Sequence, residues 1–154
     1  MSYTLESHGR TLGRTGVELP PPTPDTRSWH FIPAPAFAEA RALFAALPAA
    51  IEDSEEAIPT QGELDAIPRE EQEAHMRALL RSDPRMARFI ELSEQLEAMA
   101  LTLKDAHGER LDTATIGVTE LTITPAEFRE VLATVDPRAD LSEVAAPIYL
   151  LVAG

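Results

Sequence analysis

Thirteen prolines divide this chain of 154 residues, and they limit each piece more than any other feature does. Proline lacks a backbone N–H and holds φ at about −65°, so it opens helices, ends them, or keeps a segment out of a ladder. The run "PPPTPDT" suits neither helix nor sheet, and 20–26 reads as a stiff Pro-rich connector. Pro35 fits the first position of a helix in which Phe37, Ala40, Leu43, Phe44 and Leu47 share one apolar stripe. Pro48 should stop that helix. Pro59 and Pro68 break the stretch 51–68, which reads as an acidic loop. Within it, Thr60 and Glu63 can form a capping box around one short turn of helix.

The pattern then becomes helical. From Arg69 to about Arg81 acids lead and arginines follow, matching the helix dipole. Asp83 caps and Pro84 opens a better helix, with Met86, Phe89, Ile90, Ser93 and Leu96 on one face. Together they predict a helical hairpin over 69–100. Later, Thr124-Pro125-Ala126-Glu127 combines an N-cap, an N1 proline and a capping-box Glu. Phe128, Val131, Leu132 and Val135 of that helix should face inward.

Strand signals flank these helices. Tyr3 to about Leu19 suggests a hairpin turning at Ser7-His8-Gly9. Trp29, the single tryptophan, sits in a short strand. Leu101–Lys104 is a strand, Asp105–Gly108 a type I turn, and Glu109 to Ile123 a long strand. The apolar parity of that strand slips, predicting a bulge or bend near Gly117. Ile148–Val152 is a continuous apolar run, which suggests a strand buried on both faces. The expected fold class is α+β: one domain over 1–154, with a mainly antiparallel sheet of about four to six strands packed against three or four helices.

One echo runs through the chain. "YTLESHGRTL" resembles "LTLKDAHGERL", and each is followed by a Gly-Val segment ending in Glu-Leu and then by a Pro-Ala helix start. A true duplication would give two ββα units with the helical hairpin inserted between them, and Glu18 and Glu120 in matching places. Chance is the competing reading in a chain so rich in Ala, Pro, Leu and Glu. The repeated His-Gly pair reads as a repeated turn, not as repeated chemistry.

Charge narrows the function classes. The net charge is −13 and is unevenly spread. Residues 1–38 are neutral, 39–97 carry −8 and 98–154 carry −5. Such a field repels nucleic acid and anionic membranes and speeds encounter with a basic protein. Cysteine is absent, which removes disulfides, thiolate metal sites and a Cys nucleophile. No apolar run approaches the roughly 20 residues that span a bilayer. Without a signal-peptide pattern, the expected location is the cytoplasm. One lysine against twelve arginines suggests the residue usage of a GC-rich bacterial genome.

Catalytic motifs are missing. There is no nucleophile elbow, no P-loop and no dinucleotide fingerprint. Of the four histidines, none stands four residues from another, and Glu71 with His75 reads as an ordinary surface pair. No cofactor is expected. The sequence therefore favours a non-enzymatic interaction module with a basic protein partner, contacted through Glu52, Asp53, Glu55, Glu56, Glu70, Glu71 and Glu73, with Trp29 as an anchor and burial in the core as the competing reading of that residue. Inhibitors, immunity-type proteins and assembly subunits behave this way. The alternative is a small enzyme or ligand binder at the 105–120 hairpin, where Asp105, His107 and Asp112 would hold a metal ion or move protons, with Glu120 nearby.

Overall fold

A computed structural model describes residues 2–113 and 115–153. The chain divides into two compact units, Met1–Ala45 with Met99–Gly154, and Ala46–Ala98.

The first unit is built on a six-stranded antiparallel sheet, and the fold class is α+β. Its strands are β1 (Thr4–Ser7), β2 (Arg10–Leu19), β3 (Thr26–Pro33), β4 (Leu101–Lys104), β5 (Thr115–Glu120) and β6 (Ile148–Ala153). Their order across the sheet is β4-β1-β2-β3-β6-β5. The register assembles one continuous apolar face. Leu103 stands opposite Leu5, Thr15 opposite Phe31, Trp29 opposite Leu150, and Leu150 opposite Val118, all of them buried. Tyr3 closes edge-on over the Trp29 ring at 5.3 Å, and the Arg27 guanidinium lies 4.7 Å from that ring. Aromatic contacts of this kind add to the area term of burial.

The opposite face is covered by α5 (Pro125–Val135). Thr124 caps it by accepting from Glu127 N at 3.1 Å, as its sequence predicts. Phe128, Leu132 and Val144 form a buried cluster against Val17, Leu19, Leu121, Ile123 and Leu141. Two expectations fail here. Val131 and Val135 are exposed, at 48% and 37%, because α5 lies on the sheet through a narrow stripe. Strand β6 alternates buried and half-buried residues, so only one of its faces is fully covered.

The two His-Gly pairs are both turns, of different kinds. His8 and Gly9 have φ of 51° and 80°, the two positive values a two-residue type I′ hairpin needs, and Ser7 pairs with Arg10 across it. At the second, Gly108 N donates to Asp105 O, Gly108 has φ 78°, and Asp105 N donates to Glu109 O. That is a type I turn closed by a left-handed glycine.

The second turn does not open the expected long strand. Lys104 bridges Arg110 and Leu111 N donates to Leu103 O, but Asp112 and Thr113 lie outside any strand, and β5 pairs with β6. Pairing of β5 with β6 is unbroken from Thr115 to Glu120, so there is no bulge at Gly117. The parity slip arises because the strand ends at Glu120. Strands β4 and β5 lie at opposite ends of the sheet order, whereas β1 and β2 are neighbours. The echoed segments are thus not equivalent ββα units. Glu18 pairs with Arg27, and Glu120 with Arg41.

The second unit is helical. After a 3-10 turn at Pro35–Glu39 in the first unit, α1 runs from Arg41 to Ala57, past Pro48. Pro48 was expected to end it and 51–68 to be loop. Burial on both sides of the proline outweighs its missing N–H: Phe44 lies before it, and Ala50, Ser54 and Ala57 after it. Then come α2 (Gln61–Asp65), α3 (Arg69–Ser82) and α4 (Pro84–Ala98). Thr60 caps α2 by accepting from Glu63 N at 3.2 Å. Asp83 joins α3 to α4, its Oδ1 accepting from Arg85 N at 2.9 Å. Met86 and Leu92 are the buried residues of α4.

Candidate functional surface

The helical unit holds thirteen acids and five arginines, so its net charge is −8. Its secondary structure decides where that charge stands. Along α1, successive residues turn by about 100°. Ala50, Ser54 and Ala57 form the buried stripe, so Glu52, Asp53, Glu55 and Glu56 project from the remaining surface and are exposed. Glu70 and Glu71 occupy the first turn of α3, where free N–H groups favour carboxylates. Glu73, two residues on, pairs with Arg77 at 2.6 Å across one turn.

Two further ion pairs in this unit draw on other acids. Arg85 joins Asp83 at 2.9 Å and Arg88 lies 3.6 Å from Glu91. The Arg85 side chain holds the Asp83 carboxyl below its ordinary range. Hydrogen bonding to Asp83 raises the Arg85 guanidinium, with smaller contributions from the charges of Glu56 and Asp53 on α1. Among the described residues, no ion pair neutralises Glu52, Glu55, Glu70 or Glu71.

Trp29 requires correction. It was expected to anchor a partner, but it is fully buried in the first unit between Tyr3, Arg27 and the strand core. A side chain with no exposed area offers none to a partner.

The residues of the hairpin alternative are held apart by other contacts. Asp105 Oδ1 accepts from His107 N at 2.8 Å and Glu109 N at 3.0 Å, so it shapes the turn. His107 is exposed, Asp112 follows in the link to β5, and Glu120 is held by Arg41 at 2.9 Å. Among the described residues, no three His, Asp or Glu side chains gather as metal ligands, so Asp105, His107 and Asp112 do not form the expected set.

Three features were not anticipated from the sequence. His30 is buried, and its imidazole fills a bulge in β2. A shallow apolar cleft of about 390 Å³ lies between Pro33–Arg41 and Ala146–Ile148 in the first unit. Finally, the helical unit exposes large aliphatic residues among its acids: Ile51, Ile58, Leu80 and Ile90. Helical periodicity places Ile90 on the inward stripe. Instead it is 36% exposed, and Met86 and Leu92 are the residues of α4 that are buried.

No helix among the described residues is long and apolar enough to cross a membrane. No known protein family, curated protein or solved structure matches the chain.

Proposed function

We propose that this chain is a non-enzymatic interaction module whose acidic helical surface binds a basic protein partner, in the manner of an inhibitor, an immunity-type protein or an assembly subunit. The observation that carries the reading is the set of exposed carboxylates on α1 and α3 that, among the described residues, no arginine neutralises: Glu52, Glu55, Glu70 and Glu71. Ion pairing within a protein costs it little, so a stable fold would tolerate more arginine here. Carboxylates left open create a field that accelerates encounter with a positive surface. The same field opposes nucleic acid, whose phosphates it repels.

The test is kinetic. A basic partner captured from the native host should associate with the chain at a rate that falls at least about tenfold between low salt and roughly 0.5 M NaCl. The triple variant Glu52→Lys/Glu55→Lys/Glu56→Lys should reproduce that fall at low salt. An association rate indifferent to both changes would overturn the reading.

A further inference from the structure

The helical surface is not only charged. Ile51 is 42% exposed and Ile58 46% exposed, within the most acidic stretch of the chain. Helix geometry fixes how they are arranged. Ala50, Ser54 and Ala57 define the buried stripe of α1. Ile51, Glu55 and Ile58 fall about 100° to one side of it, and Asp53 and Glu56 roughly as far to the other. The second side is the one whose charges reach Arg85 of α4. Ile58 follows the last helical residue, but its N–H still donates to Glu55 O at 3.2 Å, which continues the turn. The two isoleucines are therefore about two turns apart, close to 10 Å along one line, with Glu55 between them and Glu52 beside it.

We propose that this flank of α1 docks a cationic amphipathic helix of the partner protein. The proposal rests on the reading that the helical unit meets a basic partner, and adds what kind of segment that partner presents. Apolar anchors seven residues apart match the i, i+7 anchors of a helix laid alongside. Carboxylates interleaved with them match Lys or Arg bordering that helix's apolar face. Charge excludes the other occupants. A second copy would set one −8 surface against another, and an anionic bilayer would be repelled in the same way. Purely ionic docking would leave Ile51 and Ile58 in water. Covering them gives the complex a component that salt does not screen.

Two fluorescent probes test this with the full chain: a Leu/Lys amphipathic helix of roughly 18 residues, and a Gly/Lys peptide of equal length and charge. Both should bind at low salt. At about 0.5 M NaCl only the amphipathic probe should remain bound. Ile51→Ser/Ile58→Ser should weaken the amphipathic probe by about tenfold and leave the Gly/Lys probe unchanged, with an unaltered melting curve. Val131→Ser, an equally exposed aliphatic on α5, serves as the control and should change neither. Equal binding of the amphipathic probe to the double variant, or an equal loss in Val131→Ser, overturns the docking proposal alone. Failure of both probes to bind at low salt removes the acidic-surface reading beneath it. Sedimentation showing dimers that Ile51→Ser/Ile58→Ser dissolves would make the occupant a second copy and also overturn it.

Discussion

The backbone N–H of Val17 donates to Nδ1 of His30 at 2.7 Å, so an imidazole replaces a strand carbonyl at a bulge. The pairing of β2 with β3 shifts between Thr15 and Glu18, where β2 carries one residue too many. The extra residue leaves an N–H without a ladder partner, and His30 supplies the acceptor. Nδ1 can accept only if the proton is on Nε2. That nitrogen is buried with no hydrogen-bond partner among the described residues, and the ring meets Phe128 of α5 edge-on at 6.3 Å. The imidazole thus joins the sheet to the helix covering it, and only its neutral form fits.

Acid should therefore weaken the first unit. Burial, and secondarily the charge of Arg14, lowers the His30 pKa below its ordinary 6.5. A folded value below the unfolded one means that the unfolded chain takes up the proton first. The stability His30 contributes is complete above about pH 6.5 and is lost as pH falls from there toward the folded value. Thermal melts from about pH 7.5 to 5.5 should show this decline in the native chain and lose it in His30→Gln, whose amide oxygen can still accept from Val17. Parallel curves for the two proteins would show that His30 is not the group responsible.

Gly16 makes room for that ring. A Cβ at this position would lie 1.8 Å from His30 Cε1. Gly16→Ala should displace the imidazole and cost about 2 kcal/mol or more by urea denaturation. A neutral substitution would mean that the bulge relaxes without the histidine.

Trp29→Ala should cost about 3–5 kcal/mol, since the ring is fully buried beneath Tyr3 and Arg27. Its Nε1, buried with no hydrogen-bond partner among the described residues, does not change the direction, because the lost apolar contact dominates. A variant folded as stably as the parent would restore Trp29 as a surface residue.

The exposed side of α5 should tolerate change that its buried side does not. Leu132→Ala should lose about 2–5 kcal/mol. Val131→Ala and Val135→Ala should each stay within about 0.5 kcal/mol. Equal losses would mean that the helix packs through a broader face.

Pro48→Ala should stabilise the chain. A proline inside a helix forfeits one hydrogen bond and crowds the preceding turn, a cost of about 3 kcal/mol. The greater freedom of alanine in the unfolded chain returns about 1 kcal/mol of that, so the melting temperature should rise. A fall would show that the proline shapes a bend the packing needs.

Short-range chemistry made much of this protein legible. The caps at Thr60 and Thr124, the hairpin at His8-Gly9 and the Asp83-Pro84 join are each fixed by residues within one turn of one another, so the sequence alone determined them. The excess of acid over base in the middle of the chain was equally plain. Distant partners decided the rest. Pro48 lies inside a helix because burial on either side outweighs a local penalty. Trp29 and His30 went to opposite faces of one strand, one into the sheet core and one against α5, and neither destination can be read from the residues beside them. Val131 faces water because α5 meets the sheet through a stripe narrower than its apolar pattern. Local patterns state what each segment prefers, whereas burial depends on how much surface a remote segment brings to cover it.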